Sequence, residues 1–513
     1  EGPRHSGEKH IDGRFACPVA GGYPEAMRLS LASTLPNARI LTPFVDLEFP
    51  ESVVRAVTSA WPALSPKKVR QAVDAAHAAL EDYRAALRQA GEALWRRHET
   101  SGEPLIVLAG RPYHLDPLIN HGLPALIESM GAEVVTEDAV AHLAAVPSDI
   151  EVVNQWTFHS RLYRAAELVQ LMSFGCGIDA VTSEQIERLL AQRGRIATTL
   201  KIDEGDTLGA ARIRLKSLLA ALADRRRSDQ KAAAESLEDM TKSTDTPVPL
   251  DKMLADRVIY APQMAPIHFP VICAALGAVG WRVELLPEVR PQAIEEGLKH
   301  VNNDACYPAI VVIGQLLDAL KTHAVDPDHS ALLLAQTCGP CRATNYPTLL
   351  RWALKDLHLE RVPVVCLSGG SIEGAQTLNV GLGGLRRLML ATLYGDMLQR
   401  LSLHVRSHEL HPGDAQRLVD RWTARAAQAA AAGDARRFAD DARAMVRDFF
   451  AVPMDGTEKI RVGIVGEILL KYHPAANLGI VQEIIDEGAE PVLGDLAAFF
   501  LYCLYDHINQ AKV

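Results

Sequence analysis

The sequence predicts an α/β protein with parallel sheets, organised as duplicated domains with added helical arms. Three observations predict it. The order strand, loop, helix, strand occurs at residues 104–138, 258–287 and 460–495, each a parallel βαβ pattern. The first and third copies share residues as well as order: Gly110, Tyr113, His114, Asn120 and Gly122 correspond to Gly466, Tyr472, His473, Asn477 and Gly479. Copies so widely spaced fit duplicated domains rather than a solenoid. A polar, charged stretch at residues 223–250 separates the first copy from the others and reads as a linker.

In chain order, residues 14–36 place Cys17 before Pro18, at or just before a helix start, because proline suits the first helical turn. Residues 65–95 have helical periodicity and read as a helical arm or hairpin. The first βαβ copy follows, with strands at Leu105–Leu108 and Glu133–Val135 and a helix over about Gly122–Met130. Residues 165–194 then give an apolar element, a Gly–Cys–Gly loop at Cys176, and a helix expected from Ser183 as its N-cap. After the linker and the second copy, Cys306 stands just ahead of Pro308 and a long apolar helix. The run ALLLAQTCGPCRATNYPTLLRWAL, residues 331–354, is a buried strand, a loop carrying Cys338 and Cys341, and a helix from near Asn345. Residues 412–449 are Ala- and Arg-rich and helical in period. The expected division is therefore residues 1–222 with an arm at 65–99, a linker at 223–256, a second α/β domain at 257–410, an arm at 411–450 and a further βα unit at 451–513.

Composition narrows the function. A formal net charge of -10 argues against a general nucleic-acid or membrane-surface binder, and no apolar run reaches membrane-spanning length. Only 8 cysteines occur in 513 residues, too few for a disulfide scaffold, so a reducing, cytoplasmic setting is expected. The opening EGPRHSGEKHIDGRF has no signal-peptide pattern and no initiator Met, so a piece of a longer chain is expected.

The cysteines sort into two groups. Cys273, Cys366 and Cys503 have apolar neighbours and no turn residue beside them, so they read as small buried hydrophobes. Cys17, Cys176, Cys306, Cys338 and Cys341 lie near Gly or Pro in loops that feed helix starts. Such loops converge at the carboxyl ends of parallel strands, and helix N-termini favour thiolates and anionic groups. Thiolates are soft ligands that suit iron–sulfur clusters or zinc. A zinc ribbon would pair Cys338 and Cys341 with another close C-x-x-C, which the sequence lacks; a redox dithiol stays open as the alternative. Tyr113–His114 and Tyr472–His473 fit a loop hydrogen bond better than a ligand site, and residues 201–206 read as a solvated cap before a basic helix. GLGGLRRL at 381–388 lacks the full dinucleotide fingerprint.

Several blocks resemble a known family: GRPYHLDPLINHG, LVQLMSFGCGIDA, KIDEGDTLGAARIR, YAPQMAPIHF, NNDACYPAIVVIGQLL, QTCGPCRATNY and GEILLKYHPAANLGIV. They look like the 2-hydroxyacyl-CoA dehydratase-related proteins, and more narrowly the acyl-CoA dehydratase activase-related chains and double-cubane cluster proteins. The resemblance runs from about residue 14 to about residue 500. It implies duplicated flavodoxin-like (Rossmann-like) domains and an iron–sulfur cluster, [4Fe-4S] or double-cubane. It also implies an actin-like ATPase activase, separate or fused, that supplies low-potential electrons. The cluster ligands would be drawn from Cys17, Cys176, Cys306 and Cys341, with Cys338 as a fifth candidate. The implied activity is dehydration or reduction of an acyl-CoA or small-molecule substrate, by a lyase or an ATP-coupled reductase component working as an oligomer. The alternatives are an electron-transfer or assembly domain of a larger activase, and a zinc or thiol ligand-binding protein. No phosphate-binding motif of the ATPase occurs here, and the related chains continue past this point into another Gly–Cys loop.

Overall fold

In the computed structural model the chain is a mixed α/β protein whose named strands pair only in parallel. It describes residues 18–502 apart from 44, 48, 102, 111, 148, 154–156, 169–170, 173–176, 194–197, 201–207, 233–249, 288, 323–324, 337–340 and 369–376. Cys17, Cys176, Cys338 and Cys503 thus lie outside the described residues. Contacts divide the chain into two units: the first holds the residues up to 244, together with 341 and 342, and the second holds most of the remainder.

In the first unit, β1 (Leu105–Leu108), β2 (Glu133–Thr136) and β3 (Leu171–Met172) form a sheet in the order β2-β1-β3. The four apolar residues of β1 are all buried, as a strand covered on both faces must be. Ile106 and Leu108 pack with Leu123, Leu126 and Ile127 after β1, and with Leu215 and Leu218 of the helix Gly209–Ala232. That helix continues through residues 223–232 of the stretch read as linker. The periodic stretch after residue 65 is one unbroken helix, Pro66–Ser101, joined by Val54, Val69 and Val73 to the helix Pro50–Ala60. One expectation is corrected: the helix after the Gly–Cys–Gly loop is Gly177–Gln192, so Ser183 is a buried residue inside it and not its cap. Ala180, Val181, Leu189 and Leu190 are buried along that helix, and this apolar face carries the helix back to the loop.

The second unit holds β4 (Val258–Ala261), β5 (Val283–Leu285), β6 (Ser330–Gln336) and β7 (Val364–Ser368) in the order β5-β4-β6-β7. Its crossover from β5 to β6 contains two helices, Pro291–His300 and Tyr307–Lys321. They cross at glycines: a Cβ on Gly314 would lie 2.0 Å from the Ala293 carbonyl oxygen, and one on Gly297 2.0 Å from that of Ile310. Only hydrogen fits there. The helix Tyr307–Lys321 is buried almost all round, through Val311, Val312, Ile313, Leu316 and Leu317.

Helix Gly381–His408 then carries a helical hairpin, Asp414–Ala432 and Ala435–Phe450, on Leu390, Tyr394 and Leu398, against Val419, Trp422, Met445 and Phe449. Inside it Tyr394 donates to Asp441 (2.9 Å), which also accepts from Arg425 Nε (3.0 Å). The third βαβ copy supplies β8 (Arg461–Ile464) and β9 (Glu490–Leu493), a two-stranded parallel sheet.

The two sequence copies that share residues also share a backbone device. His121–Gly122 and Leu478–Gly479 are both left-handed pairs, with φ of 52° and 79° in one and 56° and 75° in the other. In each, an asparagine side chain accepts from the glycine N–H, Asn120 at 2.9 Å and Asn477 at 3.1 Å. The same two amides donate back to the carbonyls of Leu115 and Lys471. Glycine bears the second left-handed position because a Cβ is strained there.

Candidate functional site

In a sheet ordered β5-β4-β6-β7 the chain leaves β4 to one side and returns to β6 on the other. The carboxyl ends of β4 and β6 therefore flank a topological switch point, where open parallel sheets place their ligands. Two glutamine side chains shape that edge in the second unit. Beyond β4, the Gln263 N–H donates to Gln315 Oε1 (2.9 Å), and Gln315 Nε2 donates to the Pro287 carbonyl beyond β5 (2.6 Å). At the end of β6, Gln336 Nε2 donates to the Thr344 carbonyl (2.8 Å), closing the connection that contains the C-x-x-C. Tyr346 then opens the helix Tyr346–Asp356.

Cys306 belongs to this edge. It is the extended N-cap of the helix Tyr307–Lys321, with φ -175° and ψ 153°. Its thiol therefore sits at the positive end of a 15-residue helix. Its Sγ is 2.9 Å from Tyr346 Oη. Tyr346 is a functional candidate that the sequence pattern did not single out; only the fold joins it to Cys306.

The remaining thiols divide by environment. Cys341 is exposed, immediately before the 3₁₀ turn Arg342–Asn345, and groups with the first unit. Cys306 is partly exposed. Cys273 is 8% exposed inside the helix Phe269–Gly277, and burial pushes its thiol up to about 12. Cys366 is fully buried in β7, where burial, opposed by the Arg351 charge, pushes its thiol up to about 11. The last two are inert packing residues, as their apolar neighbours in the sequence predict. Within the described residues of either unit no two of Cys17, Cys176, Cys306, Cys338 and Cys341 are brought together, since Cys17, Cys176 and Cys338 fall outside them.

The sheet of the first unit, β2-β1-β3, has its own switch point between β1 and β3. Beyond β1 come the Asp116 cap, which accepts from the Leu118 N–H at 2.8 Å, and the Asn120 turn. The β3-to-helix connection, which carries Cys176, lies outside the described residues. Directly beyond β2 is Glu137, 3% exposed, with Oε1 3.2 Å from Arg161 Nη2. Burial lifts its carboxyl to about 7 against the opposing charge of Arg161. An acid that titrates near neutrality at the carboxyl end of a strand can exchange a proton with a bound group. Its only signal in the sequence was an acidic residue directly after a strand. Of the two Tyr–His pairs, His473 makes a loop hydrogen bond: its Nδ1 accepts from the Ala475 and Ala476 N–H groups at 3.2 and 3.3 Å.

Comparison adds a family to this geometry. Residues 3–140 match the family described as CoA enzyme activase uncharacterised domain (DUF2229). The matched segment takes in Cys17, β1, β2 and Glu137, and ends before β3. No curated protein and no solved structure gives a significant match to the chain. The chain is thus an α/β protein whose residues 3–140 are similar to a CoA enzyme activase domain. Among the described residues no helix is long and apolar enough to cross a membrane.

Proposed function

We propose that this chain is the electron-handling part of a CoA-enzyme activase system. In this reading it holds an iron–sulfur cluster on thiolates drawn from Cys17, Cys176, Cys306, Cys338 and Cys341. It receives low-potential electrons from an ATP-hydrolysing activase, in the cytoplasm, for dehydration or reduction of an acyl-CoA or another small substrate. The observation that carries the reading is Cys306, a partly exposed thiol on a helix N-terminus at the sheet's switch point, together with the activase-type match over residues 3–140.

The donor set fits such a group. Cys306 and Cys341 are the accessible thiols among the described residues, while Cys273 and Cys366 are sealed in apolar cores. A bound cluster would supply one-electron chemistry at low potential and, at any iron not fully ligated, a Lewis acid. The chain's own residues have separate tasks. The helix Tyr307–Lys321 directs its positive end at the Cys306 sulfur, Tyr346 Oη adds a polar contact to it, and the Gln336–Thr344 bond fixes the loop ahead of Tyr346.

A second reading, an electron-relay domain of a larger activase, is favoured by the match over residues 3–140, whose family is described as a CoA enzyme activase domain. One experiment tests the proposal and separates the two readings. The anaerobic chain is mixed with an ATP-hydrolysing activase and MgATP, and its paramagnetic resonance is followed with and without an acyl-CoA. An ATP-dependent signal supports electron acceptance; a change in that signal on adding acyl-CoA supports a substrate-binding centre, and an unchanged one supports the relay. A chain that takes up no electrons under these conditions contradicts both.

A further inference from the structure

The last turn of the helix Gly381–His408 meets β9. His404 and His408 are four residues apart and so project from one face of that helix. Both rings point at a single atom of β9: His404 Nδ1 lies 3.2 Å and His408 Nε2 3.4 Å from Glu490 Oε2. The three donor atoms fall within 4.8 Å of one another. We propose that His404, His408 and Glu490 form a mononuclear zinc site whose fourth position is taken by solvent.

The two histidine–carboxylate spacings suit a tetrahedral ion. Zinc–nitrogen and zinc–oxygen bonds of about 2.0–2.2 Å at tetrahedral angles set neighbouring donors about 3.3–3.5 Å apart. An octahedral arrangement at the same bond lengths would bring them to about 2.9–3.0 Å. The observed 3.2 and 3.4 Å lie nearer the tetrahedral edge. Two imidazoles and a carboxylate are also the ligand types of three-ligand zinc sites that keep one position for water.

The surroundings orient these ligands as a metal would need. His408 Nδ1 is 3.1 Å from Asp455 Oδ1. That carboxylate accepts from the Thr457 N–H and hydroxyl and lies 3.3 Å from Lys459 Nζ, so it is the acceptor and His408 Nδ1 the donor. With that proton on Nδ1, a neutral His408 directs its Nε2 lone pair at Glu490, the carboxylate–histidine–metal arrangement of zinc proteins. In that neutral form the lone pair faces the carboxylate across 3.4 Å, a gap that a proton or a bound cation fills. Arg461 Nε, 3.7 Å from Oε1, occupies the other carboxylate oxygen and leaves Oε2 for single-point ligation. The site is open on one side: the His404 side chain is 35% exposed, against 8% for His408 and 14% for Glu490. Phe450 covers the other part of the His404 ring at a centroid distance of 5.6 Å. Such an ion would tie the long helix to β9 and, through Asp455, to the 455–459 loop.

The test uses the full chain, stripped with a chelator and reloaded with one equivalent of Zn²⁺. X-ray absorption at the zinc edge is expected to show a nitrogen and oxygen shell with imidazole scattering, and no sulfur at about 2.3 Å. His404→Ala, a helix-favouring change at the rim that leaves the fold intact by circular dichroism, is expected to abolish this binding. Asp455→Asn is expected to weaken it about 10–100-fold in a competition titration. A shell containing sulfur, no uptake of Zn²⁺, or unchanged affinity in His404→Ala overturns the proposal, while the electron-uptake test of the proposed function is read separately by its own paramagnetic signal.

Discussion

Tyr346 Oη stands 2.9 Å from Cys306 Sγ, joining the first residue of one helix to the cap of another across 40 residues of chain. The contact pairs the one candidate ligand that lies, among the described residues, at the second unit's switch point with a buried phenol. Tyr346→Phe is expected to keep the fold and cost about 0.5–1.5 kcal/mol in denaturant unfolding, the net worth of one hydrogen bond. With a cluster bound at Cys306, the same change is expected to lower its reduction potential, because hydrogen bonds to a cluster's sulfurs raise it. A redox titration followed by paramagnetic resonance checks the direction.

The position of Cys306 depends on how closely two helices cross. Gly297→Ala and Gly314→Ala each place a Cβ 2.0 Å from a carbonyl oxygen of the opposite helix, with no flexible side-chain end to give way. Each is expected to destabilise the second unit by about 1–3 kcal/mol or more. Because the displaced helix carries Cys306, iron retention should fall with stability in both variants. Unfolding midpoints and iron content, measured on the same preparations, check this.

Much of this was legible in the residues, and the illegible part has one cause. The parallel α/β class follows from strand–loop–helix–strand order, and Leu105–Leu108 is a strand because four apolar residues end at a turn signal. The Asn–x–Gly pairs at 120–122 and 477–479 could be matched by eye because the turn needs an acceptor and a left-handed glycine at fixed spacing. Cys273 and Cys366 declared themselves through apolar neighbours. Contacts set by topology left no local trace. Nothing near Cys306 points to Tyr346, nothing near Glu137 points to Arg161, and the helix from Gly177 starts earlier than Ser183 because of the core it packs on. The His404–His408 spacing is visible in the sequence, but Glu490 reaches it only through the fold.

Asp396 is a buried junction in the second unit. Its carboxylate accepts from the Leu496 and Ala497 N–H groups at 2.7 and 2.9 Å and lies 3.0 Å from His268 Nε2. Asp396→Ala leaves two backbone donors and a fully buried imidazole without that partner, and is expected to cost about 3 kcal/mol or more. Arg400→Ala, four residues on along the same helix, removes an exposed ion pair to Asp495 beyond β9 and should cost less than about 1 kcal/mol. Chemical denaturation of the two variants side by side makes the comparison.

Glu137 gives the first unit a pH dependence of defined sign. Its folded carboxyl titrates at about 7, lifted by burial from the ordinary 4.5 against the pull of Arg161. Between those values the folded state holds a proton that the unfolded state has released. Its contribution to stability is therefore greatest below about 4.5, falls as pH rises toward 7, and levels off above, a change of about 3 kcal/mol. Glu137→Gln should flatten that slope in unfolding measured across the range, while a slope unchanged by the substitution would assign it to other groups.

The central claim is that the loop cysteines hold an iron–sulfur cluster. Iron and acid-labile sulfide, determined on the chain purified without oxygen and followed by paramagnetic resonance after reduction, test it most directly. The prediction is iron and sulfide in equal amounts with a reduced-cluster signal, lost on changing Cys306 to Ser. A correctly folded chain that contains neither would contradict it.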